Sequence, residues 1–217
     1  MVPSPTGFVE PGDAPFITYG RLDPDACQTE LDRRNIAFVR VDRARGVLSP
    51  IRLNGPLHGI TFHTALPEAQ RTTSPYEIVD CRLALALDDF ARELSTHDVV
   101  EVIHYSVYRP PHPSWPEGRN ATRHAGALAI DIGTFIKRDG SKLDVLRDFH
   151  GRIGAHTCGP SAGPRPTKPE AAELRSIVCD ATSAKLFNVA LTPDFNRAHR
   201  NHVHLELAVG ADYFFVH

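Results

Sequence analysis

Cysteine, net charge, aromatic side chains and long apolar runs are all scarce in this chain, and each scarcity removes a class of protein. Four cysteines occur in 217 residues: Cys27, Cys81, Cys158 and Cys179. None forms a C-x-x-C pair, which argues against a thiolate zinc site and a thioredoxin-type redox pair. The formal net charge is -2 and aromatic residues make up 8%. With its arginines scattered, the chain is not built to neutralise or stack on nucleic acid. No run approaches the ~18 apolar residues of a membrane span. Residues 1–20 lack the basic start and apolar centre of a signal peptide. No internal repeat is visible.

What remains is an ordinary globular composition, 41% apolar and 23% charged. The length suffices for one substantial core. Pro3, Pro5, Pro11 and Pro15, with Gly7, Gly12 and Gly20, make residues 1–20 read as a flexible linker ahead of a single domain over 21–217. The even cysteine count suits two disulfides in an oxidising compartment, and a Cys158–Cys179 bridge would close the Pro-rich loop between them.

Asp23-Pro24 reads as a helix start, with proline at the first helical position. Strands are expected at 36–41, 51–53 and 60–62, with an Asn54-Gly55-Pro56 turn between the last two. Residues 80–94 are the clearest helix, Leu83, Leu87, Phe90 and Leu94 recurring on one face. Strands at 99–108 and 128–135 follow, then a turn at Asp139-Gly140 and helices at 141–150 and 170–178. Strands at 187–191 and 202–209 close the chain. This order predicts an α+β fold, helices packed on a small antiparallel sheet of four strands.

Most of the 12 histidines show no partner pattern, and His104 reads as a hydrogen-bonded strand residue. Three features stand apart. His124 precedes Asp131 by seven residues, and zinc accepts both imidazole and carboxylate ligands. His202 and His204 alternate onto one face of a strand, suited to metal binding or to an exposed polar edge. Arg109 ends the 99–108 strand, placed either to stabilise an oxyanion or as a solvated strand end.

Together these residues resemble a known pattern. Thr122-Arg-His-Ala-Gly-Ala-Leu-Ala-Ile-Asp131, followed by Thr192-Pro-Asp-Phe-Asn196, His199 and His202-Val-His-Leu-Glu206, is similar to the extensin-like C-terminal family. That family resembles the wider group of D-Ala-D-Ala metallopeptidases, lysostaphin-type endopeptidases and hedgehog domains. The resemblance implies a four-stranded antiparallel sheet carrying one zinc ion, with a catalytic core over about 99–209. It implies His124, Asp131 and His204 as ligands, His202 as the catalytic histidine and Arg109 as a substrate or oxyanion group. His199, Asn196 and Glu206 fall where they can support the site or the substrate. Three departures stand out. Ala127 occupies the family's glycine position, with Gly126 one place early. Tyr108 replaces a cysteine, so that disulfide is missing. The segment 158–169 resembles an insertion.

The implied activity is zinc-dependent hydrolysis of amide bonds in peptidoglycan stem peptides or crosslinks, as an endopeptidase or carboxypeptidase. The expected partner is therefore peptidoglycan, with no nucleic acid and no transmembrane segment. The expected location is periplasmic or secreted, with an export signal outside these 217 residues. The rival reading is a zinc-binding recognition module of the cell envelope, without catalysis.

Overall fold

The computed structural model describes residues 14–163 and 168–217. Its first helix, α1 (Pro15–Gly20), buries Phe16, Ile17 and Tyr19 in the core. This corrects the linker expected over 1–20 for its last seven residues; residues 1–13 lie outside the described ones. Pro15 misleads by composition, because proline at the first helical position starts a helix rather than breaking one. The next helix, α2 (Pro24–Arg33), begins as expected, with Asp23 accepting from the Ala26 N–H at 2.8 Å.

The chain then builds β1 (Phe38–Arg40), β2 (Pro50–Leu53), β3 (Thr61–Thr64), the short α3 (Glu68–Arg71) and β4 (Val79–Asp80). Strands β1, β2 and β4 form a separate antiparallel sheet of three, in the order β1-β2-β4. Asp80 caps α4 (Cys81–Ser95) through the Arg82 N–H. The sequence shows one apolar face on α4, yet Ala84, Leu85, Ala86 and Ala91 are buried as well. The helix is covered from several sides: α1, α2, α6 (Pro169–Ser183) and β5 (Val99–Ser106) all touch it.

After β5 come β6 (Ala129–Lys137), β7 (Lys142–Asp144), α5 (Val145–Asp148), α6, β8 (Val189–Leu191), β9 (Val203–Glu206) and β10 (Phe215–Val216). The α+β class stands, but the small sheet of four is corrected to a mixed sheet of seven, ordered β10-β8-β9-β6-β5-β3 with β7 also on β6. The middle strands β8-β9-β6-β5 are antiparallel throughout. The flanking β3 and β10 run parallel to their neighbours. Runs of two to four residues at a sheet edge carry too little pattern to announce such pairings. The helix expected at 141–150 is corrected too. Past the Asp139-Gly140 turn the chain folds back on β6, Leu143 opposite Phe135, and only four residues of helix follow.

Two disulfides staple this frame. Cys27–Cys81 joins α2 to the start of α4, and Cys158–Cys179 joins the loop after α5 to α6. Oxidised pairs of this kind persist outside the reducing cytosol.

Candidate metal centre

The centre of the sheet places the first two donors. Asp131 on β6 lies directly opposite His204 on β9, so their side chains leave the sheet together. Both are buried, as is Glu206 two residues further along β9. β9 is an interior strand between β6 and β8, which removes the exposed-edge reading of the His-x-His pair.

The third donor comes from a tight turn. His124 sits in a 3-10 helix, Arg123–Gly126, ahead of β6. Gly126 is required there by close approach: a Cβ would lie 2.3 Å from the Ala121 carbonyl oxygen. Ala127 adopts the left-handed conformation, φ 53°, at the position where the resembled family has glycine. Alanine thus adopts the left-handed turn conformation here, at the steric cost of a Cβ in that region. The Arg109 N–H donates to the His124 carbonyl at 3.0 Å and ties the turn to the segment that follows β5.

Hydrogen bonding then decides which ring nitrogens are free. His124 Nδ1 lies 2.8 Å from the Val107 carbonyl, which can only accept, so Nδ1 carries the hydrogen and Nε2 is bare. His204 Nε2 lies 3.2 Å from Glu206 Oε2, so in the neutral, metal-binding ring the hydrogen sits on Nε2 and Nδ1 is bare. The bare atoms converge with a carboxylate oxygen. His204 Nδ1 is 2.9 Å from Asp131 Oδ1, His124 Nε2 is 3.1 Å from the same oxygen, and the two nitrogens are 3.2 Å apart. Ligands bonded tetrahedrally at about 2.05 Å stand roughly 3.3 Å apart, so the spacing suits one small cation. His124, Asp131 and His204 can hold a metal ion, and among the described residues no fourth side chain joins them.

The electrostatics agree with that geometry. Burial works to raise the Asp131 carboxyl, but in the metal-free protein hydrogen bonds from His124 and His204, through protons standing where a metal would bind, outweigh it and hold it well below the usual carboxylate range. Burial lowers His204, and the Asp131 and Glu206 carboxylates more than reverse it, so in the metal-free protein its pKa is raised. A cation has favourable company here.

The remaining expected residues surround this group. His202 Nε2 lies 3.5 Å from Asp131 Oδ1, and burial lowers its pKa, favouring the neutral ring. Arg109 donates to the other oxygen, Asp131 Oδ2, at 3.1 Å while its side chain stays half exposed. His199 stacks at a tilt on His202 with ring centroids 5.0 Å apart. Burial, then the neighbouring His202 and His204, push its pKa down to about 4. Asn196 caps the short 3-10 helix Arg197–His199, its Oδ1 accepting from the Ala198 N–H and from His199 Nδ1, both at 2.9 Å. Asp194, just upstream, is buried and accepts from the Arg152 N–H, the Thr157 hydroxyl and Arg175.

Several histidines without a sequence pattern prove to be paired away from this centre: His63 on Glu101, His97 on Asp180, and His104 buried beside Glu77. The Val107 carbonyl was invisible to sequence reasoning, because a backbone oxygen leaves no side-chain signal. Asn201 and Tyr105, which contact His202 and its loop, were also missed; the only hint was an amide residue next to the His-x-His pair.

No curated protein and no solved structure matches this chain. A family model described as the extensin-like protein C-terminus matches residues 25–214, spanning both the three-stranded sheet and the His-Asp-His centre. The chain therefore belongs to the extensin-like C-terminal family.

Proposed function

We propose that this domain is a zinc-dependent peptidase that hydrolyses amide bonds in the stem peptides or crosslinks of peptidoglycan. The observation that carries the reading is the convergence of two bare imidazole nitrogens and one carboxylate oxygen within 3.2 Å of one another. Two nitrogens and one oxygen suit zinc, and three protein ligands are the pattern of catalytic rather than structural zinc sites. Zinc held there supplies Lewis acidity, polarising an amide carbonyl and making nearby water a better nucleophile.

The chain's own residues supply the rest. His202 Nε2 takes a proton from the attacking water and returns it to the leaving amine. Arg109 keeps Asp131 Oδ2 occupied, so that Oδ1 faces the imidazoles, and its exposed donors serve the developing oxyanion. Glu206 fixes the His204 ring and Asn196 holds the His199 loop. Two disulfides accord with a periplasmic or secreted site of action, where peptidoglycan lies. Among the described residues, no helix is long and apolar enough to cross a membrane.

The test is metal content and turnover on the same samples. Wild-type protein purified without a metal-binding tag should carry one zinc per chain, and His204→Ala should carry none. Purified peptidoglycan incubated with the wild type should release new amino termini, identified by mass spectrometry. Zinc without turnover would point instead to a metal-holding recognition module. No bound metal after zinc is supplied would sink both.

A further inference from the structure

Tyr105 is a large aromatic residue left half exposed on β5, and the strand pairing explains why. Along β5 and β6, Ile103 faces Thr134, His104 faces Ile132, and Ser106 faces Asp131. Gly133 on one strand and Tyr105 on the other are thus both extra residues without a partner. Bulges of this kind re-aim side chains. Here they set Tyr105 on Gly133, where a Cβ would come within 2.9 Å of the ring. The Tyr105 hydroxyl then donates to the Asn201 carbonyl at 3.2 Å, and its ring meets the His202 imidazole edge-on.

Asn201 stands two residues before β9, and its Oδ1 lies 3.0 Å from His202 Nδ1. An amide oxygen only accepts, so Nδ1 must carry the hydrogen. The other nitrogen, Nε2, is the one 3.5 Å from Asp131 Oδ1, and it is left bare. Among the described residues this is the one hydrogen bond of the Asn201 amide oxygen, so that atom caps no helix and ties down no loop.

We propose that Asn201, pinned by Tyr105 across the Gly133 bulge, is a positioning residue that holds His202 in the Nδ1–H tautomer with its Nε2 lone pair turned towards the His-Asp-His centre. Only a bare Nε2 accepts a proton from water; the opposite tautomer would present an N–H there and do no work as a base. The functional half of this inference rests on His202 being the proton carrier proposed above.

The experiment reads the tautomer directly. Imidazole proton–nitrogen NMR spectra of the metal-free protein are recorded for wild type, Asn201→Ala, Asn201→Asp and Tyr105→Phe, with His202→Gln to assign the signal. His202 should be Nδ1–H in the wild type and in Asn201→Asp, whose carboxylate still accepts. It should shift towards Nε2–H in Asn201→Ala, and partly so in Tyr105→Phe. Zinc content should stay at one per chain in all except the assignment variant, which is not scored. Peptidoglycan turnover in Asn201→Ala should fall about 10- to 100-fold in kcat with KM unchanged, and Asn201→Asp should restore it. An Nε2–H signal in the wild type, or a tautomer unmoved by Asn201→Ala, overturns the inference whatever the turnover. Wild-type protein with the Nδ1–H signal and no turnover would sink the peptidase reading and leave the tautomer lock standing.

Discussion

Replacing Gly126 by alanine should damage stability and the metal centre together. The new Cβ would lie 2.3 Å from the Ala121 carbonyl oxygen and 2.8 Å from its carbon. A relaxed carbon–oxygen contact is about 3.3 Å, so one of the two segments must move by about 1 Å. No rotamer change helps, because the obstructing atoms are backbone. Ala121 has little room to retreat: its N–H donates to the Gly46 carbonyl at 2.7 Å, and Gly46 itself packs against Ala125 and Ala121. The displacement therefore falls largely on the turn that carries His124. The upper end of the overpacking range, about 3 kcal/mol, applies. For a chain of this size that lowers the melting temperature by about 6–12 °C. A ligand nitrogen moved out of place should also weaken zinc binding about tenfold or more. Calorimetry with and without zinc, and competition against a chelator, measure the two effects. Gly55→Ala is the control, since its Cβ would meet only the Ala37 Cβ at an ordinary 3.5 Å; it should stay within about 0.5 kcal/mol of wild type. A Gly126→Ala protein melting within about 2 °C of wild type, with full zinc affinity, would refute the close-approach reasoning.

Other consequences can be measured separately. Glu206→Gln keeps an acceptor for His204 Nε2 but removes the charge, and should weaken zinc binding about 10- to 100-fold in a competition titration. The Cys27–Cys81 bridge spans 54 residues and Cys158–Cys179 spans 21. By loop entropy, replacing each pair with alanine should cost about 4 and about 3 kcal/mol in denaturant unfolding, the longer loop costing more. Burial would raise the Glu77 carboxyl, but bonds with His104 and Thr64 bring its pKa down to about 2 from 4.5. A depressed carboxylate contributes stability above its unfolded value that is lost as pH falls through the folded one. Stability should therefore decline from about pH 4.5 towards 2. That decline should be shallower in Glu77→Gln, read from unfolding midpoints across the range.

The sequence was most legible where a few neighbouring residues decide the outcome. Asp23-Pro24 and Asp80 mark helix starts because a side-chain oxygen and a fixed φ act within one turn. Asp139-Gly140 marks the reversal into β7 for the same reason, with Gly140 at φ 84°. It was least legible in the short strands. Residues 141–150 carry no strong period, so the hairpin partner on β6 decides their state rather than their own propensity. The Cys27–Cys81 pairing likewise joins positions 54 apart, and its distance is set by how α2 packs on α4.

By itself, then, the sequence determined the α+β class, the helix caps and turns, and the residues that match the family pattern. Alternation along a strand already placed His202, His204 and Glu206 on a common side. Tertiary structure alone decided that Asp131 stands opposite His204, since strand register is fixed by packing across the sheet. It alone decided which nitrogen each imidazole presents. That choice depends on the Val107 carbonyl, the Glu206 carboxylate and the Asn201 amide, and a hydrogen bond to a backbone oxygen 17 positions away has no counterpart in the local sequence.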